Sequence, residues 1–195
     1  MTNGNRVLQE GDMLLLIDQK DRRYLLTLES NSEFHSHSGF ISHNDLIGKA
    51  DGITIKSTGG LEYLALRPTM SDVILKMPRS AQIIYPKDIG PILIAADIAE
   101  GDKVLESGVG SGALSIALLR AGANVTGIEL REDFAQRARK NVEAFFSDRT
   151  VNERYNVLIG NAYEQLDGSD YDRIVLDIPE PWRVIDHVEN SLRPG

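Results

Sequence analysis

Cysteine is absent from the 195-residue chain. Its absence excludes disulfide bonds, zinc sites built from thiolates and a cysteine nucleophile. A chain without cysteine fits a reducing compartment, so we expect a cytoplasmic location.

Long apolar runs are absent as well, and no stretch approaches the roughly 20 residues that a membrane-spanning helix needs. The first residues, MTNGNRVLQEGD, are too polar for a secretory signal peptide. Hydrophobic residues make up 42% of the chain and charged residues 26%, as in an ordinary globular protein. We therefore expect one or two compact domains and no membrane partner.

Basic residues are outnumbered, since 21 Lys and Arg face 29 Asp and Glu, which gives a net charge of −8. This balance argues against broad, nonspecific binding of nucleic acid. A local basic face, or one assembled by oligomerisation, remains compatible with it.

Residues 1–75 predict a small antiparallel β domain, an open choice between a barrel and a sandwich that packs on the rest of the chain. Two pairs of apolar segments predict hairpins: GDMLLLIDQ with YLLTLE, and GITIKST with LEYLALRP around Gly59-Gly60. Residues 29–48, between the hairpins, are polar and contain several glycines. They predict a long loop that ends in a turn of helix.

Three of the four histidines, His35, His37 and His43, lie in that loop. An H-x-H pair with a third histidine is one pattern that binds metal. Only Glu33 and Asp45 add carboxylates nearby, and cysteine is absent. We therefore interpret these residues as hydrogen-bonded loop histidines and expect no metal.

From residue 76 onward, apolar strands alternate with helices, which predicts a parallel sheet with right-handed crossovers. A helix is expected over residues 88–98, with Pro91 in its first turn, where proline is tolerated. Four strands are expected, at KVLES, NVTGIEL, RYNVLIGNA and DRIVLDI. A last helix is expected in PWRVIDHVENSLRPG.

The segment KVLESGVGSG, residues 103–112, connects the first of these strands to its helix. Gly108, Gly110 and Gly112 occupy alternate positions. Glycine lets the backbone approach a ligand that a Cβ would hold away. Strand, glycine turn and helix form the beginning of a nucleotide-binding βαβ unit.

Glu106 distinguishes two kinds of ligand for this loop. Gly108, Gly110 and Ala113 satisfy the G-x-G-x-x-G/A pattern of dinucleotide-binding proteins, so an NAD-dependent oxidoreductase is one alternative. A carboxylate beside the loop repels a pyrophosphate and attracts a cation, such as the sulfonium and ammonium groups of S-adenosylmethionine. Glu129, at the end of the next strand, can accept hydrogen bonds from ribose hydroxyls.

Two further strand ends carry polar residues. Ligands of parallel sheets bind along the rim formed by the carboxyl ends of the strands. Asn161 follows the third strand, and its side-chain oxygen can accept from an adenine amino group. Asp177 opens the run DIPEPW at the fourth strand end and is the candidate catalytic carboxylate. Trp182 in this run fits a substrate-facing position and a place in the core equally well.

Four segments together resemble the tRNA (adenine-58) N1-methyltransferases of bacteria and archaea: EFHSHSG, AQIIYPKD, VLESGVGSGALSIALLRA and VLDIPEPW. The resemblance extends from about Gly11 to Gly195. It implies a class I S-adenosylmethionine-dependent methyltransferase, with a Rossmann-like α/β domain over residues 76–195 behind the small β domain of residues 1–75. The family's sheet has seven strands, whereas four are predicted here before Pro194-Gly195, so we expect a truncated protein or a fragment.

The resemblance also implies roles for single residues. Tyr85 would face the target adenine and Asp177 would accept from its amino group, which makes them the expected catalytic residues. The family is a homotetramer whose tRNA surface is shared between subunits. The residues implied to bind S-adenosylmethionine are Gln82, Glu106, Ser107, Gly108, Gly110, Ser111, Gly112, Ala113, Glu129, Leu130, Asn161 and Asp177.

Two alternatives besides the oxidoreductase remain open. The chain could methylate another substrate, which the β domain and QIIYPKD argue against. It could also be a non-catalytic subunit or fragment that binds the cofactor or tRNA. The intact Asp177 and the complete glycine loop argue against this second alternative, whereas the early stop argues for it.

Overall fold

The computed structural model describes residues 7–164, 168 and 170–194. Contacts between Cα atoms divide the chain into two compact units, Met1–Met77 and Pro78–Gly195. Among the described residues, no helix is long and apolar enough to cross a bilayer.

The first unit is built on an open antiparallel sheet of four strands in the order β2-β1-β6-β5. Both predicted hairpins are confirmed, since β1 pairs with β2 and β5 pairs with β6. Among the described residues, β2 and β5 form the two edges of this sheet and do not pair with each other, so the sheet is open and is not a closed barrel. The strands of this unit are β1 (Met13–Asp18), β2 (Arg23–Thr27), β3 (Glu33–Ser36), β4 (Gly39–Ser42), β5 (Ile53–Lys56) and β6 (Glu62–Leu66).

The long loop predicted over residues 29–48 is wrong in its first part, because β3 and β4 form a third antiparallel hairpin there. Phe34 and Ile41 face each other in its register and pack on the core of the unit. The polar residues around them conceal this period of two. The predicted turn of helix follows as a short 3-10 helix, His43–Asp45.

The prediction of β structure alone for residues 1–75 missed a helix, α1 (Met70–Lys76). Thr69 caps it through a reciprocal pair of hydrogen bonds with Asp72, a capping box that the sequence contains. Val73 and Ile74 are buried.

The second unit contains the predicted parallel sheet, with the strand order β10-β7-β8-β9. Because β8 lies on one side of β7 and β10 on the other, the strand order reverses at β7. Its carboxyl end is therefore a topological switch point, where open α/β sheets bind ligands. The strands are β7 (Lys103–Ser107), β8 (Asn124–Glu129), β9 (Tyr155–Ile159) and β10 (Arg173–Leu176).

The helices of this unit differ in detail from the sequence-based prediction. The helix α2 begins earlier than predicted because Pro86 occupies its first turn, and Pro91 therefore lies inside the helix, not in its first turn. A separate helix, α5, precedes β9 and was not predicted. The last predicted helix is a 3-10 helix, Pro181–Val184, followed by α6, and Gly195 lies outside the described residues. The helices are α2 (Pro86–Ala95), α3 (Ala113–Arg120), α4 (Glu132–Phe145), α5 (Asp148–Arg154) and α6 (Ile185–Ser191).

Candidate functional site

A cavity of about 400 Å³ opens at the carboxyl ends of the parallel strands. Ile128, Ala162, Ile178 and Pro179 supply apolar parts of its wall. Many of the residues predicted to bind the cofactor line it: Gln82, Ser107, Gly108, Gly110, Glu129, Leu130, Asn161 and Asp177. The structure thus brings together side chains that are up to 95 positions apart in the sequence (82 to 177).

Three more predicted residues, Glu106, Ser111 and Ala113, line a small adjoining cavity of about 20 Å³ under the glycine loop. Gly112 lines neither cavity, although it forms the N-cap of α3 with a φ of +81°. A Cβ on Gly112 would lie 3.2 Å from the backbone of Ala138 in α4, so this glycine lets loop and helix pack closely.

Gly108, directly after β7, packs against Asp177, directly after β10. Its φ is +86°, and a Cβ there would lie 2.1 Å from the carbonyl oxygen of Asp177. The Asp177 amide donates a 2.8 Å hydrogen bond to the Ser107 carbonyl oxygen. Asp177 therefore stands directly beside the glycine loop, and only glycine fits between them.

Glu106 is 1% exposed and is the last residue but one of β7, beneath the loop. The Ser115 hydroxyl, in α3, donates a 2.5 Å hydrogen bond to its Oε2. Burial raises the pKa of Glu106 to about 8, and the carboxylates of Asp177 and Glu129 act in the same direction.

Glu129 is also buried, at the end of β8. Its Oε2 accepts a 2.9 Å hydrogen bond from the Gly110 amide and its Oε1 a 3.0 Å bond from the Arg131 amide. Each carboxylate oxygen has a second lone pair, so Glu129 can anchor the glycine loop and still accept from a ligand.

Asp177 lies at the boundary between this cavity and another of about 560 Å³, which α2 and β10 line. Gln82 is the other residue that lines both. Partial burial raises the pKa of Asp177. Three carboxyl groups, those of Glu106, Glu129 and Asp177, thus surround the carboxyl end of β7. The negative charge that they carry when ionised favours a cationic ligand.

Comparisons with known proteins agree with this geometry. A family model described as tRNA methyltransferase complex GCD14 subunit matches residues 62–195, and one described as TrmI-like N-terminal matches residues 7–55. A tRNA (adenine(58)-N(1))-methyltransferase TrmI of Thermus thermophilus is 36% identical over 93% of this chain and 71% of its own. The TrmI of Methanocaldococcus jannaschii, named for adenines 57 and 58, is 34% identical over 91% of this chain and 70% of its own.

The chain belongs to the TrmI family of tRNA methyltransferases.

Solved structures support the same fold. A protein of Thermotoga maritima, described as an S-adenosylmethionine-dependent O-methyltransferase, superposes with a TM-score of 0.85 and 34% identity over 97% of this chain and 71% of its own. The tRNA (m1A58) methyltransferase TrmI of Aquifex aeolicus superposes with a TM-score of 0.78 and 27% identity over 97% of this chain and 74% of its own. The fold is therefore that of a class I S-adenosylmethionine-dependent methyltransferase, as the sequence predicts. The first description differs from the TrmI names in the atom that is methylated.

The remaining residues singled out in the TrmI-like sequence occupy less direct positions. Tyr85 is the N-cap residue of α2, is 40% exposed and lines neither of the cavities that Asp177 borders. The Asn161 side-chain oxygen accepts from the Tyr163 amide at 3.1 Å, and its amide group donates to Glu164 at 3.0 Å. Asn161 therefore shapes a turn at the rim of the cavity. Trp182 is 66% exposed, so its interpretation as a core residue is wrong.

Sequence reasoning missed Tyr163, which lines the cavity between Asn161 and Asp177. Its hydroxyl accepts a 3.1 Å hydrogen bond from the Glu180 amide, and the Arg183 guanidinium lies 4.6 Å from its ring centroid. Tyr163 thus connects the third strand end to the loop that follows Asp177. An aromatic residue two positions after Asn161 was the available signal.

Asn141, in α4, was also missed. Its side-chain amide is buried and donates to the carbonyl oxygens of Ser111, at 2.9 Å, and Pro78, at 2.8 Å. It fixes the end of the glycine loop. Its position beside Ala138 and Val142, on the apolar face of a helix, was the signal that could have found it.

The three histidines of the predicted loop have partners within the first unit. His43 is buried and accepts from the Glu29 amide at 3.1 Å, so the bond is consistent with the hydrogen-bonded interpretation. His35 lies 3.1 Å from a Glu33 oxygen, and His37 lies 3.3 Å from an Arg22 nitrogen. Within the described ranges, no group of three or more His, Cys, Asp or Glu side chains is placed to hold a metal ion.

Proposed function

We propose that the chain transfers a methyl group from S-adenosylmethionine to N1 of adenine 58 in tRNA, the reaction named for its TrmI relatives. The observation that carries the proposal is the convergence of Glu106, Glu129 and Asp177 on a glycine-walled cavity at the switch point of the sheet. Carboxyl groups that ionise around a site attract a sulfonium and an ammonium group and repel a pyrophosphate. The proposal therefore favours a methyltransferase over the oxidoreductase alternative.

The residues present fit S-adenosylmethionine. The Ser111 hydroxyl is buried and has no hydrogen-bond partner among the described residues, so a polar ligand beside the loop would satisfy it. Glu106 would hold the ammonium end and Glu129 the ribose. Asn161 and Ala162 would border the adenine. When bound, the cofactor supplies an electrophilic methyl group on a positively charged sulfur.

Asp177 is the proposed catalytic residue because it borders both the cofactor cavity and the neighbouring one. Adenine N1 carries a lone pair, so no base has to remove a proton before attack. Methylation makes the ring cationic. A carboxylate that accepts from the adenine amino group therefore stabilises charge that develops only in the transition state and product.

The target base must leave its stack to reach this place. The cavity beside Asp177 is lined by Ile83, Ile84 and Ile92, apolar side chains that suit the faces of a base. Tyr85 directly follows Ile84, and we propose that it contacts the base when tRNA is bound. Its exposed ring is consistent with this role.

The substitution Asp177→Asn tests the assignment. It keeps the shape of the side chain and removes its charge. We expect only a modest loss of affinity for S-adenosylmethionine, measured by calorimetry, because Glu106 and Glu129 remain, and a rate of methyl transfer to tRNA that falls much further, by about 10²–10³.

Asp186→Asn is the matched control, since Asp186 is exposed on α6, away from the cavity. It should leave both measurements unchanged. Transfer by Asp177→Asn at the rate of the unmodified chain would refute the role of Asp177. Cofactor binding without any transfer by the unmodified chain would favour a non-catalytic subunit.

We further propose that units Met1–Met77 and Pro78–Gly195 are the two expected domains and that the chain acts in the cytoplasm as a homotetramer. Large apolar side chains exposed in the second unit, among them Ile94, Ile159 and Ile185, support an interface between copies. Light scattering of the purified chain would give the mass of four copies, and the mass of one copy would refute the tetramer.

A further inference from the structure

Behind the glycine loop, three polar side chains from three elements form a buried chain of hydrogen bonds. The Tyr155 hydroxyl, at the start of β9, donates to the Ser115 hydroxyl of α3 at 3.3 Å. The Ser115 hydroxyl donates to Glu106 Oε2, on β7, at 2.5 Å. All three residues are buried, and neither Ser115 nor Tyr155 lines the cofactor cavity.

If these three buried polar side chains served packing alone, they would lower the stability of the fold. A buried carboxyl destabilises a fold unless it is hydrogen-bonded, and its charged form needs far more support than its neutral form. A serine and a tyrosine whose hydroxyls are both directed along one path to Glu106 supply such support. The order of donors, from Tyr155 to Ser115 to Glu106, stabilises negative charge on the carboxyl group.

The charged surroundings of Glu106 act in the opposite direction. The charged groups that act most strongly on it are the carboxylates of Asp177, beyond β10, and Glu129, on β8. Burial, with these two charges, raises the pKa of Glu106 to about 8, whereas the bond from Ser115 lowers it. Burial and the Glu106 charge also raise the pKa of Tyr155, on which Arg139 and Glu143 of α4 act in opposite directions. At neutral pH, the ligand-free chain therefore carries Glu106 mainly as the neutral acid.

We propose that Ser115 and Tyr155 are positioning residues that let Glu106 ionise when a cationic ligand enters the cavity, so that binding of S-adenosylmethionine releases a proton. The inference rests on the proposed function for the identity of the ligand. On binding, the O–H bond of the Glu106 carboxyl breaks and the proton passes to the solvent. The carboxylate keeps the electron pair, accepts from Ser115 and faces the positive charge of the ligand.

Calorimetric titration of the full chain with S-adenosylmethionine, in buffers of different ionisation enthalpy, measures both the affinity and the number of protons released. At pH 7 the unmodified chain should release close to one proton per ligand. The amino group of the ligand itself titrates near pH 8. Variants are therefore compared with the unmodified chain at each pH, so that this contribution cancels.

Ser115→Ala removes the donor that favours the ionised form. We expect its affinity to be about tenfold lower at pH 7, because the ligand must then ionise a weaker acid. The deficit should shrink to about twofold at pH 9, where Glu106 loses its proton more readily in both proteins. Tyr155→Phe, which acts through Ser115, should show a smaller deficit with the same dependence on pH, and Glu106→Gln should abolish this proton release.

Tyr63→Phe is the matched control, because it also removes a buried hydroxyl, one that has no hydrogen-bond partner among the described residues, from the first unit. Its affinity and proton count should equal those of the unmodified chain. Circular dichroism checks that each variant folds. If Ser115→Ala does not fold, the pH dependence of the affinity of Tyr155→Phe tests the inference instead.

A deficit that stays constant from pH 6 to pH 9 would show that Ser115 and Tyr155 only support packing, and it would overturn the inference. Affinities equal to that of the unmodified chain would also overturn it. Both results would leave the proposed function intact, since the unmodified chain would still bind the ligand. An unmodified chain that binds no S-adenosylmethionine at any pH would instead refute the proposed function, and the inference with it.

Discussion

Gly108 shows how strongly a single residue constrains the site. Its left-handed backbone favours glycine on conformational grounds, and the Asp177 carbonyl oxygen occupies the space that a Cβ would need. The same contact holds the proposed catalytic carboxylate against the loop. Position 108 therefore needs glycine for two separate reasons, its left-handed backbone and its close contact with Asp177.

Gly108→Ala separates these requirements when it is compared with Gly101→Ala. Gly101 has a φ of +89° and open space around its Cβ position, so its substitution should cost only the conformational term, about 1–2 kcal/mol. Gly108→Ala should lower the free energy of unfolding by clearly more and abolish binding of S-adenosylmethionine. Urea unfolding and calorimetry measure both effects, and equal losses in the two variants would contradict the proposed contact.

Glu106 links the site to the pH dependence of stability. Its pKa is raised to about 8 in the fold from 4.5. Above pH 4.5, the unfolded chain releases this proton while the folded chain still holds it. The free energy of unfolding therefore falls as the pH rises, and this loss levels off near pH 8. The buried carboxyl therefore destabilises the ligand-free fold at neutral pH.

Glu106→Gln should accordingly be more stable than the unmodified chain at pH 8, by a few kcal/mol, and nearly equal to it at pH 5. Urea unfolding of both proteins at the two pH values, without ligand, measures the difference. Because the other titratable groups behave alike in the two proteins, their contributions cancel in the difference between the two free energies of unfolding. A stability difference that is the same at pH 5 and pH 8 would disprove the raised pKa.

Site residues could be predicted from the sequence where residues next to them in the chain form a recognisable pattern. Glu106, Gly108 and Gly110 could be predicted because strand, turn and helix are adjacent. Ser115 and Tyr155 could not be predicted as partners of Glu106, because a helix register and a strand order first have to place them behind the loop. Their roles depend on three-dimensional packing, to which local pattern gives no access.

At the level of elements, α4 supports the loop through Asn141. The amide of this side chain serves two carbonyl oxygens, of Ser111 and Pro78, on segments that are 33 positions apart (78 to 111). A buried amide that bridges two backbone segments fixes their spacing, because each lost bond leaves a buried group unsatisfied.

Asn141→Ala should lower the affinity for S-adenosylmethionine about tenfold, with a loss of stability of about 1–3 kcal/mol. Asn190→Ala is the matched control, since the Asn190 amide also donates to a backbone carbonyl but is exposed on α6. It should leave the calorimetric affinity unchanged. If both variants bound the ligand as tightly as the unmodified chain, Asn141 would not position the loop.

Elements with a clear pattern of apolar residues were predictable, as the two hairpins and the four parallel strands show. The hairpin of β3 and β4 was missed because polar residues surround Phe34 and Ile41 in a segment with several turn residues. The helices α1 and α5 were missed because each has only seven residues, too few to establish a helical period. Thr69 and Asp72, the capping box of α1, were the stronger local signal.

At the scale of the whole molecule, all residues that line the candidate cofactor cavity belong to the second unit, Pro78–Gly195. The family model that matches residues 62–195 includes this unit entirely. Within the described residues, the carboxyl groups and the glycine loop of the site meet at the ends of four parallel strands. The chain spans 71% of its Thermus relative.

The most direct test of the proposed function is methyl transfer to two tRNA transcripts that differ only at position 58, one with adenine and one with guanine. The purified chain is incubated with each transcript and labelled S-adenosylmethionine. We predict one labelled methyl group per adenine-containing tRNA, located at N1 of adenine 58 by mass spectrometry, and none in the guanine transcript. Equal labelling of both transcripts, or no labelling of either by a chain that binds the cofactor, would contradict the proposed function.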